Sequence, residues 1–89
     1  MNDVVNKIFL LADHDTPLKE AVERAWENYL TQLEGEEPFN IYGMFVEQIE
    51  LPLLIAVMAY TGSNQTRAAR VTGLSRTTLR KKLKFYDLL

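Results

Sequence analysis

The sequence of 89 residues has no cysteine, a single histidine and few long apolar runs. Without cysteine, disulfides, thiolate nucleophiles and Cys-ligated zinc or iron sites are excluded. A membrane-spanning helix needs roughly 20 apolar residues, and no uninterrupted run approaches that length. The apolar stretch 8–12 is also too short for the core of a secretory signal. We therefore expect a soluble, intracellular chain that needs no membrane.

The side chains typical of enzymes and metal sites are also missing. His14 stands alone, so a His-based metal site or a Ser-His pair would need a second subunit. Glu34, Glu36 and Glu37 follow one another in a connection without apolar neighbours, and we interpret them as solvated charges. Trp26 and the tyrosines fit a core or a dimer contact better than a base-stacking platform. No catalytic residue, metal or cofactor is predicted.

The composition that remains is that of an ordinary globular domain. Hydrophobic residues make up 47% and charged residues 25% of the chain, which argues against disorder and low complexity. A single domain this short buries only about 60–65% of the surface of its unfolded chain. Association with a partner subunit is therefore favoured.

The charges are distributed unevenly along the chain. Residues 1–62 contain three basic and eleven acidic residues, whereas residues 63–86 contain seven basic residues and no acidic one. A division of this kind indicates a polyanion-binding end on an otherwise acidic body.

Apolar spacing predicts two longer helices in the first two thirds of the chain. The first begins at Thr16-Pro17, where threonine caps free amides and proline is tolerated, and it ends at Gly35. The second runs from about Asn40 to Tyr60. Pro52 falls inside it, and we expect a bend rather than a break because the apolar spacing resumes in phase. Its second half is apolar nearly all round, which indicates contact with another subunit.

Two short basic helices follow, over Gln65–Thr72 and from Arg76 to about Tyr86. Asn64 and Ser75 are the predicted N-caps, and Gly73 can adopt the left-handed backbone of a tight turn. Alanines in the first of the two helices permit a close crossing. This arrangement matches the helix-turn-helix unit.

The last helix presents an apolar stripe on one side and cations on the other. A run of charges is often only a solvated helix face, but here it follows a Gly73 turn and contains no acid. Because a helix fits the major groove of DNA, its first residues can reach base edges and flanking cations can reach phosphates. The base-edge candidates are Arg76, Thr78 and Lys81. The phosphate candidates are Asn64, Gln65, Thr66, Arg80, Lys82 and Lys84.

The segment Glu50 to Tyr86 resembles Fis, the factor for inversion stimulation, a family of bacterial nucleoid-associated proteins. The shared pattern, PLLxxVMxYTxxNQTRAAxxxGxxRxTLRKKLKxY, is dense and long. A weaker resemblance covers Pro17 to Leu33. Matched position by position, the resemblance implies the same base-edge and phosphate roles as above. Ser75 stands where the commonest family member has Asn, which makes it a base-edge candidate of shorter reach, and Phe85 replaces a second Lys.

The resemblance implies an all-α fold, an intertwined helical homodimer core with a C-terminal helix-turn-helix in each chain. Residues 1–16 would be an arm that is a strand, a helix or disordered, residues 17–62 a two-helix dimerisation core, and residues 63–89 the DNA-binding unit. In that family the recognition helices lie closer together than one DNA turn. Binding then bends the duplex, and sequence preference is loose.

The sequence thus predicts a Fis-like protein of the bacterial cytoplasm and nucleoid that binds and bends double-stranded DNA. It would regulate transcription and chromosome architecture, with contacts to the transcription machinery as a further expectation. The alternative is a protein-interaction module whose basic helix docks on an acidic partner. A membrane-surface role is disfavoured because the last helix has only a narrow apolar stripe.

Overall fold

The computed structural model describes residues 16–89, which form four helices and no strand. The helices are α1 (Pro17–Leu33), α2 (Ile41–Tyr60), α3 (Gln65–Thr72) and α4 (Arg76–Phe85). The predicted all-α class is confirmed. The expectations for the arm fall, apart from Thr16, outside the described residues.

Helix α1 begins and ends at local signals. The Thr16 hydroxyl accepts a hydrogen bond from the Lys19 amide at 3.2 Å, and Pro17 is the first helical residue. At the other end Glu34 adopts the left-handed conformation with φ 52°, and Gly35 follows with φ 91°. The predicted end at Gly35 lies two residues beyond the last helical residue, Leu33. No residue of α1 is fully buried.

Helix α2 runs without a break through Pro52, as the in-phase apolar spacing predicted. Only Leu54 among its 20 residues is buried, while Leu53 and Ile55 are half exposed. By length and composition alone α2 is apolar enough to cross a membrane, although the core helix of a soluble protein passes the same test. The sequence-based expectation that no segment is long and apolar enough to span a membrane was therefore wrong for α2. That expectation considered only apolar runs without charged residues, and Glu47 and Glu50 interrupt the run in α2.

The chain divides after Phe39 into two compact units. The second, Asn40–Leu89, is called here the carboxyl-terminal unit, and in it α3 packs against both α2 and α4. Its buried core consists of Leu54, Ala68, Leu79 and Leu83. Ala68 is completely buried, so the small side chain lies where the helices cross, as predicted.

The turn between α3 and α4 has the predicted chemistry. Asn64 Oδ1 accepts from the Arg67 amide at 3.0 Å, and Ser75 Oγ accepts from the Thr78 amide at 3.1 Å. Gly73 is left-handed with φ 79°, and its amide donates to the Ala69 carbonyl at 2.9 Å. Both caps and the glycine turn of the helix-turn-helix are therefore present.

The segment joining α2 to α3, residues 61–64, is called here the elbow. Gly62 is left-handed with φ 62°, and Ser63 is left-handed as well, with φ 64°. Thr61 is buried and its hydroxyl donates to the Val57 carbonyl at 3.0 Å. The Ser63 amide donates to the Met58 carbonyl at 2.9 Å. The polar groups of the elbow thus pair within the chain.

Candidate nucleic-acid interface

Helix α4 has a buried side and a cationic side. Leu79 and Leu83 are completely buried against the rest of the carboxyl-terminal unit. The opposite side is exposed and carries Arg76, Thr77, Arg80, Lys81 and Lys84. Since no acidic residue occurs between positions 63 and 86, this surface attracts anions.

The predicted base-edge residues lie at the start of α4 and on its exposed side. The Ser75 hydroxyl donates to Thr78 Oγ1 at 2.9 Å while it accepts from the Thr78 amide. Because Thr78 Oγ1 is the acceptor, its own hydroxyl proton is free to point outward. Arg76 and Lys81 are exposed. The structure therefore leaves donors of three of these residues available to a ligand.

The first turn of α3 and the middle of α4 meet through one hydrogen bond. Arg80 Nη1 donates to Gln65 Oε1 at 2.9 Å, which brings together two of the predicted phosphate residues. The guanidinium has five N–H donors in all, so four remain for an anion. A depression of about 260 Å³ lies beside it, lined by Thr77, Arg80, Lys81 and Lys84.

Asn64 and Thr66 are both exposed at the same end of α3. The Asn64 carbonyl oxygen is used in the helix cap, and its amide donors face no hydrogen-bond partner in the carboxyl-terminal unit. Arg67, for which no role was predicted, lies with its guanidinium 4.8 Å from the centroid of the Tyr60 ring. This cation–π contact ties α3 to the end of α2.

Lys82 differs from the other cations of α4, because it is turned toward α2. Its Nζ lies 2.7 Å from Glu50 Oε2, and the Tyr86 hydroxyl donates to Glu50 Oε1 at 2.7 Å. We call these three residues the Glu50 clasp. The Glu50 clasp was not predicted from the sequence. Two features of the sequence could have indicated it: Glu50 is a carboxylate in a largely apolar helix, and Lys82 and Tyr86 are four residues apart. The predicted phosphate contact of Lys82 stays a prediction.

The clasp changes the acidity of its members. The hydrogen bond from Lys82 lowers the pKa of Glu50 below its usual 4.5, against the opposing effect of partial burial. Partial burial and the hydrogen bond to Glu50 raise the pKa of Tyr86 to about 12, with a smaller contribution from the Glu47 charge. Both shifts favour the carboxylate and the neutral phenol in the folded protein.

The lowered pKa of Glu50 predicts a pH-dependent stability. A carboxyl whose pKa is lower in the folded state stabilises fully above its unfolded pKa, and this contribution is lost as pH falls through the folded value. Glu50→Gln should therefore be less stable than the parent near neutral pH, and the difference should shrink at acid pH. Urea unfolding between about pH 7 and about pH 3 measures this.

Glu47→Gln is the matched control, since Glu47 is exposed on the same helix and the substitution removes the same charge. It should show a much smaller dependence on pH. A stability difference for Glu50→Gln that stays constant down to the lowest pH would contradict the assignment.

Two family models match the chain. One, described as "Bacterial regulatory protein, Fis family", matches residues 45–86, which include most of α2 and all of α3 and α4. The other, described as "DNA-binding protein Fis N-terminal domain", matches residues 1–38 and so extends over the arm.

Individual relatives agree with the family models. The protein named DNA-binding protein Fis of Aeromonas hydrophila is 49% identical over 72 residues, which cover 81% of this chain and 74% of the relative. The protein of the same name from Mannheimia haemolytica is 51% identical over 72 residues with the same coverage. That of Vibrio cholerae is 47% identical, again over 81% of this chain and 74% of the relative.

Proposed function

This chain belongs to the Fis family of bacterial DNA-binding regulatory proteins, and we propose that it binds double-stranded DNA as a homodimer and bends it. DNA-binding regulation, not enzymatic catalysis, is the activity of this family. The observation that carries the proposal is the exposed cationic side of α4, beside the first turn of α3. Two such helices would occupy successive major-groove segments of one duplex.

The unpartnered surface of α2 supports the homodimer. Leu54 alone is buried in a helix that also exposes Ile49, Leu53 and Ile55. Contiguous apolar surface of this kind marks a protein interface in soluble proteins. In our proposal residues 17–62 of two chains form the dimerisation core and residues 63–89 of each form a DNA-binding unit.

Residue roles follow from where the side chains lie. Arg76 and Lys81 would donate to guanine N7 and O6, with Thr78 and Ser75 contacting neighbouring base edges. Arg80 and Lys84 would meet phosphates, together with the residues that begin α3, namely Asn64, Gln65 and Thr66. In the bacterial cytoplasm the protein would act on the nucleoid. Contacts to the transcription machinery are part of the same proposal.

A salt titration tests the proposed function. With a fluorescent duplex, binding measured by anisotropy should weaken linearly on a log–log plot against salt concentration, with a slope of about 0.9 for each phosphate neutralised. Sedimentation should find a dimer. Duplexes with the site at permuted positions should differ in gel mobility because of the bend.

An acidic peptide of matched charge is the control for the alternative, docking on an acidic protein. Equal affinity for peptide and duplex would favour that alternative. Monomers in sedimentation, or anisotropy that stays flat at low salt, would contradict the proposed function.

A further inference from the structure

Two kinds of contact hold α4 against the rest of the carboxyl-terminal unit. Leu79 and Leu83 supply the apolar contact and are completely buried. Apolar contact has no preferred direction, so it resists separation of the helices more than it resists a roll of α4 about its own axis. Successive residues of a helix point about 100° apart. Rotation of α4 about its axis would therefore change which of its side chains reach the major groove of DNA.

The Glu50 clasp supplies the directional contact. Lys82 lies on α4 and Tyr86, four positions later, caps its carboxyl end. Each bonds a different oxygen of the same carboxylate at 2.7 Å. Both bonds lie to one side of the buried leucine stripe, at positions three residues after Leu79 and Leu83. Hydrogen bonds weaken steeply as their angle departs from linear. Two of them on one flank therefore oppose a roll in either direction.

The clasp also sets the charge that α4 presents. The Lys82 and Glu50 side chains are 32% and 23% exposed, so the pair is partly shielded and each charge neutralises the other. The remaining cations of α4, Arg76, Arg80, Lys81 and Lys84, are exposed. An ion pair this close to solvent adds only modestly to the free energy of unfolding, so the stability loss expected for Glu50→Gln is small and a further role in orientation is favoured.

We propose that Glu50 is a positioning residue for DNA recognition, which fixes the roll of α4 and holds the Lys82 side chain against α2. Arg76, Thr78 and Lys81 are thereby presented to base edges, while Lys84 meets the backbone and Lys82 does not. The inference rests on the proposed function and replaces the phosphate role predicted for Lys82. It assigns a part in DNA reading to a residue of α2, a helix that carries none of the predicted DNA-contact residues.

The first arm of the test counts phosphate contacts. In the parent chain, Lys84→Gln should lower the slope of log affinity against log salt by about 0.9 for each bound protomer, whereas Lys82→Gln should leave it unchanged. In a Glu50→Ala background Lys82 is released, and Lys82→Gln should then lower the slope as Lys84→Gln does. Both lysine substitutions change the net charge equally, so they are matched controls for one another.

The second arm measures discrimination. Glu50→Ala should reduce the ratio of affinities for a preferred and a random duplex by about tenfold, comparable to the smaller effects of one mismatched base pair. Glu47→Ala removes the same charge from the same helix and should leave that ratio unchanged. Glu50→Gln keeps the shape and one acceptor oxygen, and its ratio should lie between those of the parent and Glu50→Ala.

The outcomes separate this inference from the proposed function. Equal slope losses for Lys82→Gln and Lys84→Gln in the parent would place Lys82 on a phosphate and overturn the inference, while DNA binding itself would stand. An unchanged ratio for Glu50→Ala would overturn the positioning role. If Glu50→Ala does not fold by circular dichroism, the lysine comparison in the parent decides alone. A parent that binds no duplex removes the proposed function and this role with it.

Discussion

Replacing Leu83 by alanine is expected to lower the free energy of unfolding by about 2–5 kcal/mol. Leu83 is completely buried in a small core with Leu54, Ala68 and Leu79, against which partly buried residues such as Met58 and Leu74 pack. Truncation removes apolar contacts and leaves a cavity that the surrounding residues fill only in part. In a core of this size one leucine is a large share of the apolar contact, so the helix-turn-helix should lose its fold first.

Urea unfolding at a fixed protein concentration measures this effect, because the stability of the proposed dimer would depend on concentration. Val71→Ala is the control, since Val71 is half exposed on α3, and surface changes usually stay within about 0.5 kcal/mol. Similar small losses for Leu83→Ala and Val71→Ala would show that α4 does not pack as described.

The second large effect is expected for Arg76→Ala, which should weaken binding to a preferred duplex by about 1–3 kcal/mol and relax sequence preference. Arg76 is exposed at the first position of α4, where a recognition helix reaches base edges. Its guanidinium can bond guanine N7 and O6 together, and this pairing is lost on truncation. Binding to random DNA should change less, because that binding depends mainly on phosphates.

Lys84→Ala is the matched substitution, since it removes the same charge from the same helix. It should weaken preferred and random duplexes by similar factors and reduce the salt slope. The affinities of each variant for both duplexes, measured at one salt concentration, show whether Arg76 reads bases and Lys84 contacts phosphates. Equal losses on the two duplexes for Arg76→Ala would remove its base-reading role.

The helices were predictable because their signals are local. Thr16, Asn64 and Ser75 each cap a helix through an amide three residues later, and such caps can be recognised in a short window of sequence. The left-handed residues Glu34 and Ser63 were not foreseen. Non-glycine residues adopt that conformation only where neighbouring contacts impose it.

The Glu50 clasp could not be predicted in the same way. Glu50 and Tyr86 are 36 positions apart, and their contact depends on how α4 crosses α2 rather than on any local pattern. Periodicity did place the apolar stripe of α4 correctly, because Leu79 and Leu83 are both buried. It did not decide the direction of Lys82, which was predicted to contact a phosphate, because a lysine at the edge of a stripe can turn either way.

The elbow has a mechanical consequence for any duplex held by two copies of the protein. Its polar groups, from the Thr61 hydroxyl to the Ser63 amide, are bonded to carbonyls of α2, and Arg67 braces the same corner against Tyr60. Such a joint is stiff, since bending it would break bonds that water cannot easily replace at a buried threonine. If the spacing of the two DNA-binding units differs from the helical repeat of straight DNA, the DNA would therefore deform more easily than the protein. In the proposed dimer the DNA would bend to fit the protein, and sequences that bend easily would be preferred at positions the protein does not contact.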